Sequence, residues 1–209
     1  MKKVKGFKLE VRPKEVARLA KKAGLDLSFL GPGVEHAPDG KPHAVPPATV
    51  AALSKEIAAA SAIFSPAVLY ETFPVSSKED VSNKLLAPIP GVAFSLVLAT
   101  LGEGIGARKL ELESAEPERA RLWRLITESA LAEAVRFVAA LLESEAALEN
   151  CELSPLNPLS GPEALAAALD RLDCSKVGVS LGDEGLRPMD STVVTLSWLS
   201  KSRGRKPKA

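Results

Sequence analysis

The chain has 209 residues, of which 46% are hydrophobic, 25% charged and only 4% aromatic. This is the make-up of a globular protein with an Ala, Leu and Val core, and it offers few aromatic platforms on which bases or sugars could stack. The net charge of +1 is uneven: residues 201–209 hold Lys201, Arg203, Arg205, Lys206 and Lys208 and no acid, leaving −4 for residues 1–200, which speaks against a nucleic-acid-binding face.

Lys5–Val11 alternates weakly and is compatible with a strand. Arg12-Pro13 opens a helix, Val16, Leu19, Ala20 and Ala23 give it an apolar stripe, and Gly24 stops it. Residues 31–47 carry Pro32, Gly33, Pro38, Gly40, Pro42, Pro46 and Pro47, so they read as a loop. It is the one internal boundary, separating an N-terminal part (1–62) from a main core (65–199) within a single domain of residues 1–200.

An alanine-rich helix is expected over Ala48–Ala62 and a strand over Val68–Val75. Ser77 and Asp80 mark the start of a short helix ending near Pro88. Val92–Thr100 is apolar on both faces, as a fully buried strand requires, and it runs into Gly102, Gly104 and Gly106. From Pro117 to Leu148 apolar residues recur at three- and four-residue steps, which predicts one long helix. A proline-bearing loop covers 150–161, Ser160 and Glu163 cap a helix over Pro162–Leu172, Val177–Leu181 is a strand, 182–188 a connection, and Thr192–Leu199 the last strand. Strands early and late with helices between them predict an α+β fold, with a mixed, mainly antiparallel sheet flanked by helices.

Few of these parts suggest chemistry. The three glycines could bring backbone N–H groups to a phosphate, but neither the dinucleotide fingerprint nor a Gly-Lys-Ser/Thr follows; easing a sharp exit from a buried strand is the simpler reading. His36 and His43, with Glu35 and Asp39 beside them, lie in the Pro/Gly loop, which does not supply the fixed geometry of a metal site. They are the only histidines, so a Ser–His or Cys–His mechanism would have to use that loop. Glu128 and Glu133 fall on different faces of the long helix and are no acid/base pair. Glu133 itself is either on the solvated helix edge or a partly buried carboxylate turned to a ligand. Ser154-Pro155 and Pro188…Ser191 are polar turns that could line a ligand or be ordinary turns.

Cys151 and Cys174 fit no metal, redox or disulfide-scaffold spacing. The basic tail reads as a solvated, disordered terminus, with a tether to RNA or membrane phosphate as the other reading. No segment is long and apolar enough to span a bilayer and no apolar signal region follows Met1, so a cytoplasmic protein without a membrane or nucleic-acid partner is expected. No catalytic set and no metal site emerge, and the arrangement suits holding a ligand more than hydrolysis, redox or metal chemistry.

The order of features resembles a known family. A buried strand ending in Thr100-Leu101-Gly102 is followed by a long helix with Leu131-Ala132-Glu133-Ala134 and a Ser154-Pro155 loop. A helix, Val177-Gly178-Val179-Ser180-Leu181 and Pro188-x-x-Ser191 before a final strand complete the series. Over 65–199 this looks like the activation domain of cobalamin-dependent methionine synthase, including its stand-alone relatives, with a weaker echo in 9–24. The resemblance implies a domain that binds S-adenosylmethionine, caps a corrinoid and supports its reductive remethylation. It implies a ligand site at Thr100, Gly102, Glu133, Ser154, Pro155, Pro188 and Ser191, a corrinoid-binding protein or methyltransferase as partner, and cobalamin held only by that partner. The family's loop, Arg-x-x-Pro-Gly-Tyr, is rewritten here: aligned on Pro155, the chain has Glu152, Leu156 and Asn157, and Leu196 falls near a family tyrosine. Glu152 reverses the charge that meets the ligand's carboxylate. The readings that follow are an accessory protein of corrinoid-dependent methyl transfer and a non-catalytic scaffold that keeps the fold without the ligand.

Overall fold

In the computed structural model, which describes residues 1–35, 45–75 and 85–201, a strand buried on both faces organises everything else. This is β3 (Ala93–Thr100), next to β2 (Ala67–Pro74). β1 (Lys2–Lys5) lies outside β2, while β8 (Ser191–Ser200) flanks β3 on its other side. Two short strands, β4 (Cys151–Leu153) and β5 (Asn157–Pro158), both pair with β8. Every pairing among the described residues is antiparallel. β6 (Ser180–Gly182) and β7 (Gly185–Arg187) form a separate hairpin. The fold is α+β, an antiparallel sheet flanked by helices.

Each face of β3 requires its own cover, because alternate side chains point opposite ways. Phe94, Leu96 and Leu98 pack with Leu159, Ala168, Leu172 and Cys174, so α5 (Pro162–Arg171) and the 3₁₀ turn Cys174–Val177 cover one face. Val97 and Ala99 pack with Ala134, Val138, Leu142 and Ala146 of α4 (Pro117–Leu148), which covers the other. The buried Ser95 and Trp198 on that face are satisfied: Trp198 Nε1 donates to Ser95 Oγ at 2.8 Å, and Ser95 Oγ shares a 2.8 Å bond with Oγ1 of the exposed Thr72.

With 32 residues, α4 is about 48 Å long, more than the sheet needs. Its N-terminal half packs Leu122, Trp123 and Ile126 with α1 (Pro13–Lys22) and α2 (Pro47–Ser61), through Val16, Ala20, Leu53 and Ile57. The helices on either side of the 31–47 segment therefore share one apolar cluster. Proline opens α1, α2, α4 and α5, where a missing N–H costs nothing.

Several boundaries differ from the sequence reading. The first strand is Lys2–Lys5 rather than Lys5–Val11. Its ladder ends where the Gly6 N–H donates to the Pro66 carbonyl at 3.0 Å, because Pro66 has no N–H to answer. A helix, α3 (Gly104–Ala115), fills the stretch before Pro117; it buries only Ile105 and Leu112, too sparse a stripe to read in sequence. The 150–161 loop contains β4 and β5, and prolines are tolerated there because these are edge strands. Ser160 caps nothing: the N-cap of α5 is Gly161, with no side-chain cap bond. The Val177–Leu181 strand shrinks to Ser180–Gly182, since residues 174–177 form the 3₁₀ turn and Gly178 is left-handed at φ +70°. Residues 182–188, expected as a connection, hold β7. The centre of the Pro/Gly loop at 36–44, the tail at 202–209 and all but the end of the helix expected from Ser77 and Asp80 lie outside the described residues; of that helix Leu85 and Leu86 are described and are helical.

If double-faced burial of β3 dominates stability, Leu98→Ala should cost about 3 kcal/mol in urea unfolding. Leu110→Ala, at a side chain 63% exposed, should change it by less than about 0.5 kcal/mol.

Candidate functional site

Of the seven residues expected at a ligand site, the structure brings three together: Thr100, Gly102 and Ser191, at the C-terminal end of β3. Thr100 stands opposite Ser191 in the β3–β8 register. Its buried hydroxyl accepts from the Gly102 N–H at 3.1 Å and from Ser191 Oγ at 2.9 Å, and donates to the Asp190 carbonyl at 3.5 Å. A threonine hydroxyl has one donor and two acceptor positions, so this one is fully used in binding the turn after β3 to the start of β8. The Leu101 N–H repeats the tie, donating to Asp190 O at 2.9 Å.

Gly102 is required at this turn for two reasons. Its φ is +83°, and a Cβ there would stand 2.9 Å from Cβ of Ser65, inside any real contact. The close approach arises because the Ser65 N–H donates to the Leu101 carbonyl at 2.8 Å.

Beside this knot lies a buried ion pair. Lys109 Nζ of α3 is 2.5 Å from Asp190 Oδ1, with side-chain exposures of 14% and 6%. Asp190 Oδ2 is buried with no hydrogen-bond partner among the described residues, and a Cβ at Gly106 would be 3.8 Å from it. The carboxylate thus lies against α3 about one turn before the lysine that neutralises it. Neither Asp190 nor Lys109 was expected here. Asp190 was legible as a carboxylate inside Pro188-x-x-Ser191; Lys109 was not, because α3 itself was not legible.

The remaining candidates lie elsewhere. Ser154 is at the other end of β8: its buried Oγ accepts from the Ser197 N–H at 2.9 Å and donates to the Pro155 carbonyl at 3.1 Å. Ser197 pairs with Phe94 and Ser191 with Thr100, so the two ends are about 20 Å apart along the strand. Pro155 is exposed, as are Glu152 and Leu156; Asn157 is half-buried and pairs with Thr195. Leu196 is buried under α4. Pro188 is half-buried after a cis peptide bond with Arg187.

Glu133 is half-buried, its Oε2 2.7 Å from Arg136, whose guanidinium also reaches Glu15 of α1 at 3.4 Å. This ties α4 to α1 and leaves Glu133 on the helix edge. Glu128 is exposed. His36, Asp39 and His43 lie outside the described residues; Glu35 is described, its backbone bonded in both directions to Thr49 Oγ1. Among the described residues no group of three or more His, Cys, Asp or Glu is arranged to hold a metal. No helix among them is long and apolar enough to cross a membrane.

Both cysteines are buried and free. Burial, with a smaller contribution from the Asp173 carboxylate, pushes the Cys174 thiol up from 9.0 to about 11.

No protein-family model matches the chain, and none of the curated proteins compared with it does.

Lys109→Met should cost about 3 kcal/mol in chemical unfolding, because it strands a buried carboxylate, and adding Asp190→Asn should recover at least about half of that. For Cys174 the folded pKa is the higher one, so its contribution to stability is present below about 9 and is lost as pH rises through about 11. Iodoacetamide should accordingly leave Cys174 unmodified at neutral pH and label it only as pH nears that value, read by mass spectrometry of the intact chain.

Proposed function

We propose that the protein is an accessory factor of corrinoid-dependent methyl transfer, docking in trans on a cobalamin-binding protein. What supports this reading is the arrangement of the parts that carry the family resemblance. Thr100-Leu-Gly102 ends a strand buried on both faces, Glu133 lies at the middle of a helix laid across the sheet, and Pro188-x-x-Ser191 leads into the neighbouring strand. Cobalamin would belong to the partner. The residues at the end of β3 supply rigidity, since Thr100 has no free hydrogen-bonding position and Asp190 is neutralised internally.

One observation favours the second reading, a scaffold that keeps the fold without S-adenosylmethionine. The Ser154 hydroxyl is engaged by the protein's own backbone, and by the resemblance Glu152 takes the place of the family's arginine. Both readings share docking and differ on whether a ligand groove persists.

Immobilised full chain should retain a cobalamin-loaded corrinoid protein in a saturable manner. Calorimetry with adenosylmethionine should show no micromolar binding by the native chain. Glu152→Arg combined with Leu156→Gly and Asn157→Tyr should raise that affinity at least about tenfold, reflecting one recovered charge-assisted contact. Capture of the corrinoid protein without that gain selects the scaffold. Absence of capture and of adenosylmethionine binding by both chains overturns the proposal.

A further inference from the structure

Positive charge is gathered at one end of the chain. Residues 1–24 hold nine lysines and arginines against Glu10 and Glu15, a net of +7; because residues 1–200 sum to −4, residues 25–200 carry −11. We propose that the outward face of α1 is a docking site for an acidic helix of a partner protein, whose carboxylates recur at every fourth position.

The face is built as a row. Val16, Ala17 and Ala20 turn inward, so Lys14, Arg18 and Lys22 lie on the opposite side, one turn apart and about 6 Å from step to step. All three are exposed, as is Arg12 at the N-cap. The one acid of α1, Glu15, lies to the side of the row and is drawn to Arg136 of α4.

The fold does not use these cations itself. Beyond residue 24, seven of the described lysines and arginines meet a carboxylate, as Lys109 meets Asp190. Lys5, Lys8, Arg12, Lys14, Arg18 and Lys22 are exposed and form no ion pair among the described residues. Nor do all of them suit the helix. Arg12 and Lys14 stand at its N-terminus, where the aligned backbone dipoles favour anions. Charge that its own helix disfavours and the fold leaves unpaired is available to another molecule.

The surroundings select among anions. No large apolar side chain of α1 is exposed, so the face lacks what an interfacial helix inserts into a bilayer. It carries no aromatic ring on which bases could stack, and a long polyanion would run onto a body of opposite preference, with its −11. The backbone of α1 is hydrogen-bonded within the helix, which leaves recognition to side chains. A second helix laid along it presents glutamates at i, i+4 and i+8 with the same step of about 6 Å. Exposed ion pairs are individually weak, so the contact orients an incoming partner and speeds its association more than it holds it. It does not depend on that partner carrying a corrinoid.

The test is a titration of the isotopically labelled full chain, followed by its amide shifts at low ionic strength, with a short alanine-rich helical peptide bearing glutamate at every fourth position. An isomer with the same glutamates spread round the helix is the comparison. The patterned peptide should move the amides of residues 12–22 in a saturable manner, bind at least about threefold more tightly than the isomer, and lose its hold as salt rises. Arg18→Glu combined with Lys22→Glu should weaken binding about tenfold or more. Lys14→Glu should weaken it too while leaving the melting temperature unchanged or higher, since an acid suits the first turn; loss of folding cannot then mimic loss of binding. Glutamine in place of the five cations of residues 201–209 should leave the response at residues 12–22 intact. The proposal is overturned if the shifts fall outside residues 12–22, if the isomer binds equally well, if the charge-reversed variants bind as tightly as the native chain, or if the response vanishes with the cations of the tail. Single-stranded DNA or phosphatidylserine vesicles that bind through the same residues more tightly than the peptide would assign the face to nucleic acid or membrane and overturn it as well.

Discussion

Strand β3 cannot be left with either face in water. Phe94, Leu96 and Leu98 on one side and Val97 and Ala99 on the other are all fully buried, and burial of that many apolar side chains is worth several kcal/mol per pair of large residues. Two covers follow from this one requirement: the C-terminal half of α4 on one side and α5 with its 3₁₀ turn on the other. The strand's neighbours follow too, since a backbone removed from water on both faces must have both edges paired. β2 and β8 satisfy them along all eight residues of β3.

The same requirement explains why the polar groups at the end of β3 serve the fold. Where the strand leaves the core, the chain must turn without stranding N–H or C=O groups. Thr100, Ser191 and the Asp190 backbone absorb those groups, and Gly102 permits the turn to pass close to Ser65. The Asp190–Lys109 pair then fastens α3 to the start of β8. A buried pair of this kind adds little net stability compared with apolar packing, but removing one partner is costly, so its main effect is to fix which side of α3 faces the sheet.

Much of this was legible in the sequence. β3 and α4 could be read because their patterns are long and unambiguous: an unbroken apolar run in one, three- and four-residue recurrence in the other. The weak spots share a cause. α3 rests on Ile105 and Leu112 alone, β4 and β5 sit among prolines at a sheet edge, and β7 is a three-residue strand whose partner is equally short. In each, tertiary context and not local preference decides the structure. The site divided on similar lines. Thr100, Gly102 and Ser191 met because antiparallel register brings the end of one strand to the start of the next. Ser154 did not join them, because the loop that carries it pairs with the far end of β8, and a register cannot be read from either strand alone.

The distribution of satisfied and unsatisfied groups bears on what kind of work this surface suits. A site for chemistry leaves polar side chains convergent and incompletely bonded, so that a substrate completes them. Here the convergent side chains are those of Thr100 and Ser191, and each is already engaged by the protein; Asp190 Oδ2 lacks a partner among the described residues but is enclosed. The hydroxyls at the end of β3 therefore serve the turn that leaves the core, and the Asp190–Lys109 pair holds α3 against it.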